Sequence, residues 1–515
     1  MRSKKFEFTR REFIGTTAMA TGALAFAPGS LSAYFFGPEN AVKSAVYTTN
    51  LSVKFVHTGV IHEEAYEGSC RHGNLENMTM EAETGALKRG LEGLINQVNE
   101  KSFGPGINML DPQGIYLWVE KGNPEIMLKD EELFKLNDDD PSTDVYVVTG
   151  GLPQFTCVRI AETYKKPVLF LSSAGWGIDV PGGIRAIGYE SFYVQDMDQL
   201  AELLMVFKAR KAFRQTRFLD VTNFEVVPKG VISSVNDLDF IKEKYGMDYH
   251  TVNYNEFFSE MDRVVSRKDI RKKSEVLAEE LMAASGGGNM TKEDVIKSFD
   301  FYLTVLHFFK KYDCNAFGVE CFELCSSMIP WNRRFTPCMT HSLLKNEGFP
   351  SACEKDLNAL LSMAVMMYVS NKPAYMGNPD FLLDENKIRL HHSDSPTRMS
   401  GFDQPEDYYE IKSFTEAGFG ATLRYDYEAH KGQQITLARF DPAAKRILLI
   451  PGEISAGGGM EGFGCSQNVT LSVNNCRESM RAMQDFGHHL SMVYGNCVEQ
   501  VRDLGVLMDF EVVVV

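Results

Sequence analysis

The chain has 515 residues, a net charge of −16 and 44% hydrophobic residues. That length allows two to four domains, and the apolar fraction is enough for a sizeable core, so the chain is not disordered as a whole. The acidic balance argues against a nucleic-acid partner, which wants a basic patch to meet phosphates.

In chain order the first element is the N-terminus. Arg2, Lys4, Lys5, Arg10 and Arg11 surround and precede a small-residue apolar stretch, GTTAMATGALAFA, at 15–27. A positive region before an apolar run shorter than the ~20 residues of a bilayer span reads as an export signal. Thr-Arg-Arg-x-Phe-Ile at 9–14 resembles the twin-arginine (Tat) signal, an address read by a receptor rather than an anchor. The resemblance implies export of a folded chain by the Tat machinery to the periplasm or another extracytoplasmic space, with any cofactor loaded beforehand. The signal is assigned to 1–33, with Ser30 and Ala33 as candidate ends. No later segment is apolar for long enough to span a membrane.

An α/β rhythm comes next. Strands are predicted at 51–60, 144–151, 167–173, 217–223, 249–254 and 315–322. Helices are predicted toward 101, at 155–166, 198–213 and 241–247, as one long helix over 257–284, and at 292–312. Strands alternating with helices imply parallel sheets. Thr291 with Asp294 forms a capping-box pattern. SAGWGIDVPGG (173–183) reads as a loop. Gly150-Gly151 lacks the G-x-G-x-x-G spacing, so a dinucleotide is not expected.

From about 365 the strands become short and turn-bounded: 387–392, 421–427, 434–440 and 446–454. They imply an antiparallel sheet or barrel. KPAYMGNPDFL (372–382) reads as a strand breaking at Gly377-Asn378-Pro379, and PGEISAGGGMEGFG (451–464) as a flexible glycine-rich loop. Within 348–369 a long apolar helix is predicted with Glu354 at its entrance, and further helices are predicted at 476–486 and 497–507. The domain scheme is therefore a signal (1–33), an N-terminal α/β domain (34–185), a second α/β domain (186–340) and a β-rich C-terminal domain (341–515).

Ten cysteines occur with no CxxC pair, which excludes zinc-ribbon and thioredoxin-like sites; they read as buried core thiols. Chemistry concentrates at 338–400 and near the C-terminus. Glu354 stands at the entrance to an apolar helix, where the helix dipole alone would explain a carboxylate. KIRLHHSDSP brings His391 and His392, and HHLSMVYGN brings His488 and His489. Oxygen ligands with one or two imidazoles suit Mn²⁺, Fe²⁺ or a similar ion. Ligation without cysteine argues against a closed structural zinc site.

ACEKDLNALL, KPAYMGN, IRLHHSDSP and GHHLSMVYGN, in that order, resemble the successive motifs of the L-fucose and L-arabinose isomerase superfamily, best its fucose-isomerase-like branch. NAFGVECFELCSSMIPW and CMTHSLLKNEGFPSACE upstream fit the same pattern. The resemblance covers about residues 140–515. It implies two Rossmann-like or flavodoxin-like α/β domains plus a barrel-like C-terminal domain. It also implies a divalent metal, Mn²⁺ by preference, and a homo-oligomer, trimer or hexamer, acting on a small-molecule sugar. By position it makes Glu354 the first carboxylate ligand and acid/base, puts Asn378 where the second carboxylate stands, and makes His392 and His489 the histidine ligands. His391 and His488 exchange with them if the register slips by one.

The implied activity is aldose–ketose isomerisation of a free pentose, hexose or deoxyhexose through an enediolate. A metal polarises the carbonyl, and a carboxylate moves the proton. Asn378 departs from the pattern, since an amide ligates but cannot act as a base. Glu320 or Asp394 could fill the gap; alternatively the chain is a non-catalytic carbohydrate-binding protein on the same scaffold. Glu320 otherwise reads as a solvated strand-end charge. Trp176 is a candidate for stacking on a sugar, and His488 for touching it.

Overall fold

A computed structural model describes residues 30–37, 39, 41–63, 79–123, 125–223, 230–235 and 237–515. Up to residue 29 the expected export signal lies outside the described residues, as does Cys70. No helix among the described residues is long and apolar enough to cross a membrane.

The chain forms two compact units, one of Thr49–Lys211 and one containing Ala212–Val515 with the N-terminal residues up to Thr48. The first unit holds strands β1 (Leu51–His62), β2 (Ile107–Val119), β3 (Ile126–Met127), β4 (Val145–Gly150), β5 (Val168–Leu171) and β6 (Ser191–Val194). They form one sheet in the order β3-β2-β1-β4-β5-β6, parallel except for β2–β3. Setting aside the edge strand β3, this is the flavodoxin-like order. The strands are Val-, Ile- and Phe-rich and buried, as parallel strands covered on both faces must be. The expected boundary at 185/186 would cut β6 from the sheet it completes. The stretch 173–183 is no loop: it holds a short 3₁₀ turn, Gly175–Ile178, and most of a helix, Asp179–Ala186.

The second unit opens its α/β part with β7 (Arg217–Val221), β8 (Asp248–Val252), β9 (Ala316–Val319) and β10 (Ser351–Ala352), all parallel, in the order β10-β9-β7-β8. Because β10 belongs here, the expected boundary at 340/341 would cut it from the sheet it completes. The predicted helix over 257–284 is two helices, α1 (Tyr254–Val265) and α2 (Lys268–Ala284), parted at Ser266-Arg267. Then come α3 (Lys292–Tyr312), α4 (Cys321–Ser326), α5 (Cys338–Asn346) and α6 (Leu357–Ser370). Thr291 caps α3 by accepting from the Asp294 amide at 3.2 Å. A cluster of Phe side chains from α1 and α3 (Phe257, Phe301, Phe308 and others) fills the core under β7 and β9.

The rest is a barrel. β11 (Tyr375–Leu382), β12 (Lys387–His391), β15 (Gln434–Phe440), β16 (Arg446–Gly458), β17 (Asn468–Val473) and β18 (Leu490–Tyr494) run β15-β18-β11-β12-β17-β16, and β15 pairs with β16 to close the ring. All these pairs are antiparallel. Closure removes the exposed sheet edges. β13 (Tyr409–Ser413) and β14 (Ala421–Tyr425) form a separate hairpin, and β19 (Glu511–Val514) adds to β16 in parallel. Inside lie Tyr375, Ile388, Leu390, Leu437, Ile450, Leu471, Leu490 and their neighbours. Helix α6 is buried along Leu357–Val369 and binds the barrel through polar contacts. Asn358 donates to the Phe440 carbonyl at 3.0 Å, Ser362 accepts from the Phe440 amide at 2.7 Å, and Ser491 donates to the Ala359 carbonyl at 3.1 Å.

Two local expectations are corrected. β11 does not break at Gly377-Asn378-Pro379: it pairs with β18 up to Gly377 and with β12 from Asn378 onward. Pro379 therefore stands where the β18 ladder has ended and no partner needs its missing N–H. The glycine-rich stretch at 451–458 is not loop but the far half of β16, with a register shift between Ile454 and Ala456.

Candidate metal centre

The centre begins where the parallel sheet hands over to α6. After β10 the chain makes a short 3₁₀ turn, Cys353–Lys355, with Glu354 at φ +58° and Lys355 at φ +53°. Such left-handed backbone costs a side-chain-bearing residue about 1–3 kcal/mol and persists only where its surroundings hold it. The helix cap is Asp356, whose Oδ1 accepts from the Ala359 amide at 3.1 Å. So the dipole at the start of α6 serves Asp356. The left-handed turn sends the Glu354 carboxylate elsewhere, toward two histidines.

His392 directly succeeds the last residue of β12, and His489 precedes the first of β18. His392 Nε2 lies 3.5 Å from Glu354 Oε1, and His489 Nε2 lies 3.7 Å from Glu354 Oε2. The three residues each offer a ligand atom within 4.8 Å of the others, and all three are buried. Ligands on an ion with bonds of about 2.1 Å and angles of about 90–120° stand roughly 3.0–3.6 Å apart. The spacing fits.

The surroundings fit as well. His489 Nδ1 is 2.8 Å from Asp356 Oδ2, which also accepts from Arg439 Nη1 at 2.7 Å. Arg439 Nη1 further donates to the His489 carbonyl at 2.8 Å. Burial opposes ionisation of Asp356, but Arg439 and His489 outweigh it and hold the carboxyl below its usual range. In the neutral imidazole, an ionised Asp356 that accepts the Nδ1 proton leaves the lone pair on Nε2. That Nε2 is buried and has no hydrogen-bond partner. A carboxylate behind a histidine, with the other nitrogen bare, is how proteins orient a metal-binding imidazole. His392 has a carboxylate behind it too, but without a hydrogen bond: Nδ1 faces Asp394 Oδ1 at 3.3 Å, neither atom has a hydrogen-bond partner, and Asp394 Oδ2 accepts from Lys345 at 2.8 Å. Burial disfavours the His392 imidazolium, yet Cys465, Asp394 and Glu354 outweigh burial and push its pKa up. The pocket calls for positive charge between Asp394 and Glu354. A proton on His392, or a cation held by Glu354, His392 and His489, would supply it.

Glu320, at the carboxyl end of β9, is fully buried rather than solvated. It caps α4 by accepting from the Phe322 amide at 3.2 Å. Burial, with repulsion from Glu354, raises it to about 7. Glu354 moves the other way: burial opposes its charge, but His392 and His489 prevail and lower it. His488 stacks on His489 with ring centroids 4.0 Å apart, and burial and His489 lower it to about 4. Carboxyl ends of parallel strands are where α/β sheets place their ligands.

Asn378 and His391 lie on β11 and β12. Asn378 pairs with His391 across β11–β12, and no hydrogen bond ties its side chain to Glu354, His392 or His489. His391 is half-buried, 3.9 Å from Asp380, so the register needs no slip. Trp176 belongs to the other unit, where it is half-exposed and packs on Phe170. Expecting only core thiols was incomplete: Cys321 and Cys353 stand beside Glu354. Asp356, Arg439 and Lys345 were missed. The one sequence signal for Asp356 is its place two residues after Glu354, at the start of the apolar helix.

No protein-family model matches the chain, and no curated protein matches it. What the geometry defines by itself is a histidine–histidine–carboxylate group that could hold a cation, set between a parallel sheet and a closed antiparallel barrel.

Proposed function

We propose that the chain is a metal-dependent sugar isomerase-like enzyme, acting on a free aldose or ketose of the pentose, hexose or deoxyhexose class. The observation that carries the reading is the bare, carboxylate-oriented Nε2 of His489 beside Glu354 and His392. Glu354, His392 and His489 would hold the ion; when bound, it supplies polarisation of a sugar carbonyl. Mn²⁺ is the first candidate.

The chain's own groups divide the proton work. Glu354 is kept ionised. Glu320, raised to about 7, is poised to hold or release a proton near neutral pH. Two carboxyl groups whose surroundings push them apart are the usual acid/base signature. Glu320 thereby offers the second carboxyl group that Asn378 does not. Asp356, Arg439, Asp394 and Lys345 position the histidines.

The signal-like N-terminus supports an exported, Tat-dependent protein, and the family resemblance supports a trimer or hexamer. The missing carboxylate at Asn378 favours a second reading, a carbohydrate-binding protein without turnover. Incubating the Mn²⁺-loaded chain with a panel of aldoses and ketoses in deuterated water separates them. Sugar interconversion, with its loss in Glu320→Gln, supports the enzyme; tight sugar binding with no interconversion supports the second reading.

A further inference from the structure

Glu354 has a second side. Cys353 precedes it in the 3₁₀ turn, and Cys321 opens α4 after β9. Both sulfurs and a Glu354 carboxylate oxygen lie within 4.8 Å of one another. Neither cysteine is in a disulfide. Cys353 is 3% exposed, while Cys321 is half-buried, so one ligand meets solvent and the other fixes the geometry. Next to Cys321 in the chain stands the buried Glu320 carboxyl, whose Oε2 has no hydrogen-bond partner. Thiols that merely fill a core pack against apolar side chains. These two adjoin a carboxylate held in strained, left-handed backbone.

We propose that the sulfur side of Glu354 is a second cation position, which takes a thiophilic divalent ion such as Zn²⁺ or Cd²⁺ through Cys321, Cys353 and Glu354. It shares with the proposed function only the premise that Glu354 faces a cation. Each thiol loses its proton as its sulfur–metal bond forms, so binding releases acid and involves no oxidant or reductant. Thiolate ligands select soft and borderline ions, whereas carboxylate and imidazole suit Mn²⁺. Mn²⁺ therefore fills the histidine side alone, and Cd²⁺ fills both.

The test is a Cd²⁺ titration of the whole chain under nitrogen with a non-thiol reductant, read by bound metal, ultraviolet absorption and acid release. Expected are a sulfur-to-cadmium charge-transfer band, about two protons released with it, and one more Cd²⁺ bound than Mn²⁺. Cys321→Ser should lose the band and that extra Cd²⁺ yet keep its Mn²⁺, which also shows that it folds. His489→Ala should lose Mn²⁺ and keep the band. Absence of the band in the wild type, or its survival in Cys321→Ser, overturns the proposal. A band with no Mn²⁺ binding in the wild type would remove the histidine reading and leave this one standing.

Discussion

Asp356→Asn isolates the orienting group behind His489 while barely changing shape. Asp356 uses its two oxygens differently. Oδ1 caps α6 through the Ala359 amide, and Oδ2 accepts from both His489 Nδ1 and Arg439 Nη1. An asparagine can keep only one of these arrangements. If its oxygen stays on the cap, its NH₂ confronts two donors. His489 must then carry its proton on Nε2 or rotate, and the metal-facing lone pair is lost. If the amide flips, the cap is lost at about 1 kcal/mol. Loss of a carboxylate behind a metal-binding histidine typically weakens the metal ~10–100-fold, about 1.4–2.8 kcal/mol. The buried Arg439 is also left without its counter-charge; both groups are fully buried, so breaking the pair costs roughly 3–5 kcal/mol, reduced by whatever hydrogen bonds the amide retains. Calorimetric Mn²⁺ titration together with urea melts of the metal-free chain separates the two effects. A variant that loses stability but binds Mn²⁺ as tightly as the wild type would refute the reasoning, because Asp356 would then be a structural anion only.

Three further outcomes rest on the same structure. Glu354→Gly relieves left-handed backbone, so the metal-free chain should gain up to about 1 kcal/mol, while the rise in melting temperature with added Mn²⁺ disappears. Glu347 is buried and accepts from Tyr302 at 2.8 Å; burial raises its carboxyl from 4.5 to about 8, despite Tyr302 and Arg398. A raised carboxyl favours the fold below its unfolded value and loses that benefit as pH rises from 4.5 to about 8. Glu347→Gln should therefore gain on the wild type by up to ~1.4 kcal/mol per pH unit between pH 5 and 8, in urea melts across that range; an unchanged gap would contradict the assignment. Thr291→Ala should cost about 1 kcal/mol by uncapping α3, with Mn²⁺ affinity unchanged.

The barrel was the most legible part of the fold. QITLARF and the helix at 476–486 match the structure residue for residue, because alternation and capping agree there with the tertiary setting. β2 was invisible: Asp111-Pro112-Gln113-Gly114 interrupts it, and the sheet absorbs them in a register shift opposite Lys54–Val56. β11 was misread for a related reason, since Pro379 breaks a strand only where a ladder needs its N–H. Within the site, Glu354, His392 and His489 were accessible because the histidines adjoin recognisable strands. The turn that aims Glu354 was not, because a left-handed backbone at a charged residue has no local sequence cue. Nor could the roles of Arg439, Lys345 and the thiols be read, because each meets the site across long separations in sequence.

The most direct measurement is the metal content of the natively folded chain, wild type beside His489→Ala, after incubation with Mn²⁺ and removal of free ion. The account predicts about one ion per chain in the wild type and a large loss in the variant, which removes one of three ligands. A wild type that retains no ion, or a variant that retains as much as the wild type, would contradict it.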